Sequence, residues 1–90
     1  MANHKSAIKR IRSSKRKQER NRVVRSRTRT YIKKARQTLD SGDVEQAREA
    51  TLAAVRELDK AATKGILHPN NVARHKSRLM KHLAKLEADQ

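Results

Sequence analysis

Cysteine is absent from this 90-residue sequence, and Tyr31 is its single aromatic residue. The lack of cysteine excludes disulfide bonds, thiolate metal ligands and a cysteine nucleophile, and it is typical of a reducing compartment. One aromatic ring cannot build the stacking platforms of single-strand-binding proteins or of sheet-based RNA modules. Recognition of any nucleic acid should therefore rest on backbone and shape.

Long apolar runs are also missing. No stretch approaches the roughly 18 apolar residues of a membrane helix, and the N-terminus lacks the apolar region of a secretory signal. An acid-poor N-terminus rich in Arg and Ser is also typical of an organelle transit peptide, but residues 12–22 lack the apolar stripe of such a peptide. We expect a cytoplasmic protein that does not enter membranes.

Acidic residues are scarce, with 9 Asp and Glu against 24 Lys and Arg, so the formal net charge is +15. Residues 1–36 contain 15 basic residues and 1 acidic residue, and residues 64–90 contain 6 and 2. Only residues 37–63 carry more acidic than basic side chains, 6 against 3. A charge of this size predicts a polyanionic partner, and its distribution predicts that the two ends of the chain contact it.

Glycine and proline are rare as well, with two and one respectively, so few positions interrupt regular structure. Asp43 with Gln46 is typical of a capping box, Gly65 of a helix C-terminus, and Pro69 of a first helical turn. We predict an all-α fold, an antiparallel three-helix bundle whose long N-terminal helix projects beyond it. The helices should cover residues 6–39, 44–64 and 70–86 of a single domain, 1–90, which is monomeric when free.

Each predicted helix has an apolar face at three- and four-residue spacing. The faces comprise Val24, Thr28, Tyr31, Ile32, Ala35 and Leu39; Val44, Ala47, Thr51, Val55, Leu58 and Ala62; and Val72, Leu79, Leu83 and Leu86. The first face ends near Val24, so the first helix should extend about 20 Å past the bundle. Because like charges repel along this extension, we expect residues up to about Arg22 to fray in the free protein and to become helical when an anion binds.

The charged faces of helices two and three differ. Basic residues form an unbalanced row on the third helix, opposite its apolar face, whereas the outer face of the second helix has nearly equal numbers of both signs. The row consists of Arg74, Arg78, Lys81 and Lys85, and the mixed face of Glu45, Arg48, Glu49, Arg56, Glu57 and Lys60. We expect helix three to contact the polyanion and helix two to face water.

Neither a metal site nor an active site is indicated. His68, His75 and His82 recur every seven residues, but a step of about 10 Å along a helix is too long for one metal ion. No Gly-rich phosphate loop is present, and no motif places Ser, His and Asp for catalysis. We expect no catalytic residue, no metal, no cofactor and no small-molecule substrate. His68 should instead give a ring proton to a helix cap or to a phosphate.

Two segments, MANHKSAIKRIR at the start and KGILHPNNVARHKSRLMK at residues 64–81, resemble the bacterial-type S20 family of the small ribosomal subunit. The resemblance extends over essentially the whole chain. Pro69 and Val72 depart from the family pattern, which typically has a basic residue and Ala at these positions. The resemblance implies a three-helix protein that binds the 5′ domain of 16S ribosomal RNA early in assembly, approaches the penultimate RNA helix of the 3′ minor domain, and lies beside other small-subunit components.

The resemblance and the charge pattern together yield one set of predicted RNA-binding residues. It comprises Lys5, Lys9, Arg10, Arg12, Lys15, Arg16, Lys17, Arg20, Asn21, Arg22, Arg27, Arg29, Lys64, His68, Asn70, Asn71, Arg74, Lys76, Ser77, Arg78, Lys81 and Lys85.

Two alternatives remain at this point. A nucleoid-compacting DNA-binding protein has a similar charge and would bind duplex DNA as tightly as RNA. A cationic membrane-active protein needs an amphipathic N-terminal face, and Ile8 and Ile11 are too few to supply one. The sequence also does not distinguish a bacterial from a plastid ribosome.

Overall fold

A computed structural model of the chain describes residues 2–89, with side chains from Ser6 to Asp89. Three α-helices account for nearly all of this part of the chain, and it contains no strand. They are α1 (Ala2–Ser41), α2 (Val44–Thr63) and α3 (Pro69–Ala88). The all-α class and the long first helix are confirmed. α1 begins four residues earlier than expected and ends two later, because no residue before Gly42 stops the helix.

Two glycines in the left-handed region end the first two helices. Gly42 has φ +82° and Gly65 has φ +74°, a conformation that only glycine adopts without strain. After α2, the Ile66 amide donates to the Ala61 carbonyl at 2.9 Å and the Gly65 amide to the Ala62 carbonyl at 3.0 Å. This pattern is a Schellman motif, and it turns the chain toward α3.

Side chains cap the N-termini of α2 and α3. Asp43 Oδ1 accepts a hydrogen bond from the Gln46 amide at 3.2 Å, as the capping-box prediction requires. At α3, Pro69 occupies the first turn, and Nδ1 of His68 accepts from the Asn70 amide at 3.1 Å. The predicted direction of the His68 cap bond was therefore wrong, since the free amides of a helix start require an acceptor, while donation of a ring proton to a phosphate stays a prediction.

The core lies where α2 packs between α1 and α3. Ala35, Ala47, Ala54, Leu58 and Ala61 are fully buried. The first four belong to one core cluster with larger side chains of the outer helices, which are Ile32, Leu39, Val72, Leu79 and Leu83. Small residues on the middle helix allow both neighbours to approach it closely.

The buried face of α2 is rotated from the predicted one. Val44, Val55 and Ala62 are only half-buried, and Ala54 and Ala61 take their place. Val44 and Val55 were expected inside because they are the larger apolar side chains. Contact with α1 on one side and α3 on the other selects the small Ala54 and Ala61 instead. Glu57, expected on the outer face, also lies at the α1 contact with 12% of its side chain exposed.

α1 extends well past its partners. Its 40 residues correspond to about 60 Å and the 20 residues of α2 or α3 to about 30 Å, so the projection is about 30 Å rather than 20 Å. The molecule accordingly measures 69 × 20 × 13 Å. The structure has this segment as continuous helix, and its fraying in the free protein stays a prediction. Among the described helices, none contains an apolar stretch of the length that a membrane span requires.

Candidate nucleic-acid interface

The first basic surface is the projecting segment, residues 6–20 of α1, in which every side chain is exposed. Its cations are Lys9, Arg10, Arg12, Lys15, Arg16, Lys17 and Arg20, and Glu19 is its single acidic residue. Because successive helical residues are turned by about 100°, these charges point in all directions around the axis. No described carboxylate lies within 4.0 Å of them. The segment can therefore contact phosphates on several sides at once.

The second basic surface is a groove of about 470 Å³ between α1 and α3. α1 contributes four cations to it, and their spacing keeps all four on one face of the helix. These cations are Arg25, Arg29, Lys33 and Arg36. The floor is apolar and is formed by Ile32, Leu67 and the largely buried Thr28, and α3 contributes Asn71 and His75. We call this feature the basic groove, and no acidic residue lines it.

The pKa of His75 responds to the positive charge around the basic groove. Partial burial lowers the pKa of His75, and the positive charges of Arg36, Arg78 and Arg74 lower it further. The ring is therefore neutral at pH 7 and has one donor and one acceptor nitrogen. A negatively charged ligand in the groove would oppose these charges and raise the pKa of His75 again.

The basic row of α3 adjoins the basic groove. Arg74, Arg78, Lys81 and Lys85 are all exposed, on the side of α3 opposite Val72, Leu79 and Leu83. Arg74 and Arg78 are the two members near enough to affect the pKa of His75. The row and the basic groove thus form one continuous cationic surface.

Two of the four acidic residues of α2 pair with cations that lie outside the basic groove and the basic row. Glu57 lies 3.5 Å from Arg27, and Asp59 lies 3.0 Å from Lys76. A hydrogen bond with Tyr31 and then the charge of Glu57 raise the pKa of Arg27, whose guanidinium also lies 5.8 Å from the Tyr31 ring centre. Two predicted RNA-binding residues, Arg27 and Lys76, therefore have partners within the protein.

The histidines have separate roles. His68 caps α3, His75 lines the basic groove, and His82 lies 4.0 Å from Asp40. Among the described residues, no group of three or more His, Cys, Asp or Glu side chains could hold a metal ion.

Comparison with known proteins identifies the chain. The sequence model for ribosomal protein S20 matches residues 2–84. The chain belongs to the ribosomal protein S20 family. This confirms the resemblance inferred from the two end segments, and members of the family are structural components of the ribosome rather than enzymes.

Three relatives, each named small ribosomal subunit protein bS20, show how complete the match is. The relative from Geobacter metallireducens is 53% identical over 81 residues, which is 90% of this chain and 93% of the relative. That from Thermomicrobium roseum is 50% identical over 86 residues, or 96% and 87% of the two chains. That from Geobacillus kaustophilus is 48% identical over 88 residues, or 98% and 99%.

Within this S20-family chain, most of the predicted RNA-binding residues lie on the two basic surfaces or at the start of α3, whereas Arg27 and Lys76 lie outside the basic groove and pair with carboxylates of α2. Asn21, Asn71 and Lys76 are half-buried, every other described member is exposed, and the side chain of Lys5 lies outside the described residues. The prediction missed Arg25, Lys33 and Arg36, which share the basic groove with Arg29. Arg29, Lys33 and Arg36 follow Arg25 by four, eight and eleven residues, a helical spacing that the sequence shows. The sequence does not show which flank of the apolar face of α1 lies beside α3.

Proposed function

We propose that this chain is a structural constituent of the small ribosomal subunit that binds 16S ribosomal RNA directly. The proposed site on the RNA is the 5′ domain, with an approach to the penultimate helix of the 3′ minor domain. The role is to stabilise packed RNA helices during assembly, in the cytoplasm and beside other small-subunit components. Membership of the S20 family and the names of the bS20 relatives support this assignment.

The proposal rests on one observation: basic side chains with a carboxylate partner and basic side chains without one lie on different surfaces of the protein. Carboxylates of α2 neutralise Arg27 and Lys76, whereas the projecting segment, the basic groove and the basic row have no acidic partner among the described residues. Uncompensated cations one helical turn apart repel one another, and this repulsion is relieved when phosphates lie between them. Folded RNA supplies phosphates from several helices at once.

The two basic surfaces suit two kinds of contact. The projecting segment is a single helix with cations on every side, so it can lie between RNA helices and neutralise phosphates on each. The basic groove and basic row form one side of a rigid bundle and would clamp a second part of the same RNA. A fixed distance between the two surfaces selects a folded RNA, because affinity from charge alone has no geometric preference.

The test is a binding titration across a salt series. The 5′ domain of small-subunit ribosomal RNA is compared with an unrelated RNA of equal length and with duplex DNA. Contact with about 6–10 phosphates should give a slope of log affinity against log salt of about −5 to −9. The ribosomal RNA alone should retain tight binding at high salt. Three coincident curves would contradict the proposal and favour a nonspecific nucleic-acid-binding protein.

A matched pair of variants locates the binding surface. Arg16→Ala removes one exposed charge from the projecting segment, and Arg56→Ala removes one from the water-facing side of α2. Arg16→Ala should weaken binding and make the salt slope shallower by about one, while Arg56→Ala should leave both nearly unchanged. Equal losses for the two variants would show that net charge, and not the projecting segment, determines affinity.

A further inference from the structure

The basic groove differs from the other basic surfaces because it has an apolar floor. Phosphate contacts need only exposed cations, and the projecting segment provides these without any cavity. In the basic groove, Ile32 and Leu67 lie beneath the arginines, and both belong to or pack against the core. Its volume of about 470 Å³ falls within the range of about 300–1,000 Å³ for sites that hold small organic groups. A flat apolar group with adjacent negative charge fits such a site.

Asn71 provides hydrogen-bonding groups without a partner in the described structure. Its backbone amide donates to the His68 carbonyl at 3.0 Å, but its half-buried side chain forms no hydrogen bond with any described residue. A carboxamide presents one acceptor and two donors, the combination that pairs with the edge of a nucleobase. The neutral ring of His75, which lines the same groove, adds a second donor and acceptor.

The cations above the floor suit the rest of a nucleotide. Arg25, Arg29 and Arg36 carry planar guanidinium groups, which stack on bases and bind phosphate through two parallel hydrogen bonds. Lys33 adds a point charge, and no carboxylate competes for any of the four. A base that is stacked inside a duplex cannot reach the floor, so only an unpaired nucleotide satisfies all these groups together.

We infer that the basic groove binds one unpaired nucleotide of the RNA. The base would lie on Ile32 and Leu67, Asn71 would bond to its edge, and Arg29 and Arg36 would bind the flanking phosphates. This inference rests on the proposed RNA-binding function and adds base recognition to it. The sequence alone predicted contacts with backbone and shape only, because Tyr31 is the single aromatic residue; here arginine planes and an aliphatic floor replace aromatic stacking.

The experiment compares two RNA hairpins that differ by one nucleotide. One stem contains a single unpaired adenosine and the other is fully paired, and the dissociation constants of the full-length protein are measured at the same salt concentration. We expect about tenfold tighter binding of the hairpin with the unpaired adenosine, from stacking and burial of one base. Equal dissociation constants would overturn the inference.

Two carboxamide variants test whether the basic groove causes this preference. Asn71→Ala removes the proposed base contact without changing charge, and Gln37→Ala makes the same chemical change on an exposed part of α1 outside the groove. The preference should fall to about twofold or less in Asn71→Ala and remain in Gln37→Ala. Circular dichroism of both variants checks the fold. A full preference in folded Asn71→Ala would overturn the assignment to the basic groove.

Two further binding measurements distinguish this inference from binding of a free nucleotide and from the proposed function itself. Adenosine monophosphate should compete with the bulged hairpin only weakly; competition with an affinity equal to that of the hairpin would show that the ligand is a free nucleotide, contrary to the inference. Tight binding of the 5′ domain of ribosomal RNA without any preference between the hairpins would refute the nucleotide site and leave the proposed function intact. Failure to bind the 5′ domain would refute the proposed function itself.

Discussion

Replacement of Thr51 by valine should stabilise the bundle. Thr51 is fully buried at the centre of α2, and its hydroxyl is a buried side-chain group without a hydrogen-bond partner among the described residues. Valine has nearly the same shape and helix propensity, so the substitution exchanges an unpaired hydroxyl for a methyl group. Thr28 on α1 provides the matched comparison, because it is also buried but its hydroxyl donates to the Val24 carbonyl at 2.8 Å.

The two substitutions should change stability in opposite directions. A buried, unpaired polar group costs about 1–3 kcal/mol, so Thr51→Val should raise the free energy of unfolding by about 1 kcal/mol or more. Thr28→Val removes a hydrogen bond that contributes about 0.5–1.5 kcal/mol, although the Val24 carbonyl keeps its helical bond. The variants should therefore differ by about 2 kcal/mol. For a domain of this size, each 1 kcal/mol corresponds to a shift in Tm of about 4–8 °C.

Urea denaturation followed by circular dichroism measures both variants, with equal m-values required so that the comparison concerns stability. The exposed Thr30, whose hydroxyl donates to the Ser26 carbonyl at 3.0 Å, serves as a surface control. Thr30→Val should have little effect. Destabilisation by Thr51→Val equal to that by Thr28→Val would refute the reasoning, because it would show that the Thr51 hydroxyl has a partner in solution.

Three further outcomes follow from the same structure. Leu58→Ala should cost about 2–5 kcal/mol, measured by urea denaturation, because Leu58 is completely buried in a core to which all three helices contribute, and unchanged stability would contradict the core assignment. Arg20→Ala should weaken RNA binding without lowering the Tm of the free protein, and a large loss of Tm would contradict the projection of this part of α1. The folded state lowers the pKa of His75, so the unfolded state binds more protons, and stability should be full above pH 6.5 and decline as the pH falls below it. His75→Gln should remove this part of the pH dependence of urea denaturation, and an identical pH profile in the variant would exclude His75 as its source.

The position of the basic groove shows where prediction from sequence reached its limit. Arg29 was among the predicted RNA-binding residues, but its groove neighbours Arg25, Lys33 and Arg36 were not. A helical repeat shows that these residues share a face. It does not show that α3 lies beside this face while α2 covers the other flank. The same limit explains Arg27, which was predicted to bind RNA but is paired with Glu57 across the α1–α2 contact.

The buried face of α2 is a second feature that the sequence predicted only in part. Leu58 and Thr51 were predicted to be buried, because apolar periodicity identifies the inner side of a helix. Ala54 and Ala61 were not, because the predicted face included their neighbours Val55 and Ala62 instead. The burial of Ala54 and Ala61 depends on two neighbouring helices that meet α2 at once, which is a property of the packed bundle.

The helical class, the Asp43 and Gly65 helix ends, and the basic character of both ends of the chain follow from the sequence alone. These are local properties, set by propensity, capping chemistry and charge within a few residues. Helix packing selects which described cations pair with α2 carboxylates and which have no acidic partner, and it forms an apolar floor beneath the unpaired cations between α1 and α3. Those features depend on distances between helices far apart in the chain, and only packing determines such distances.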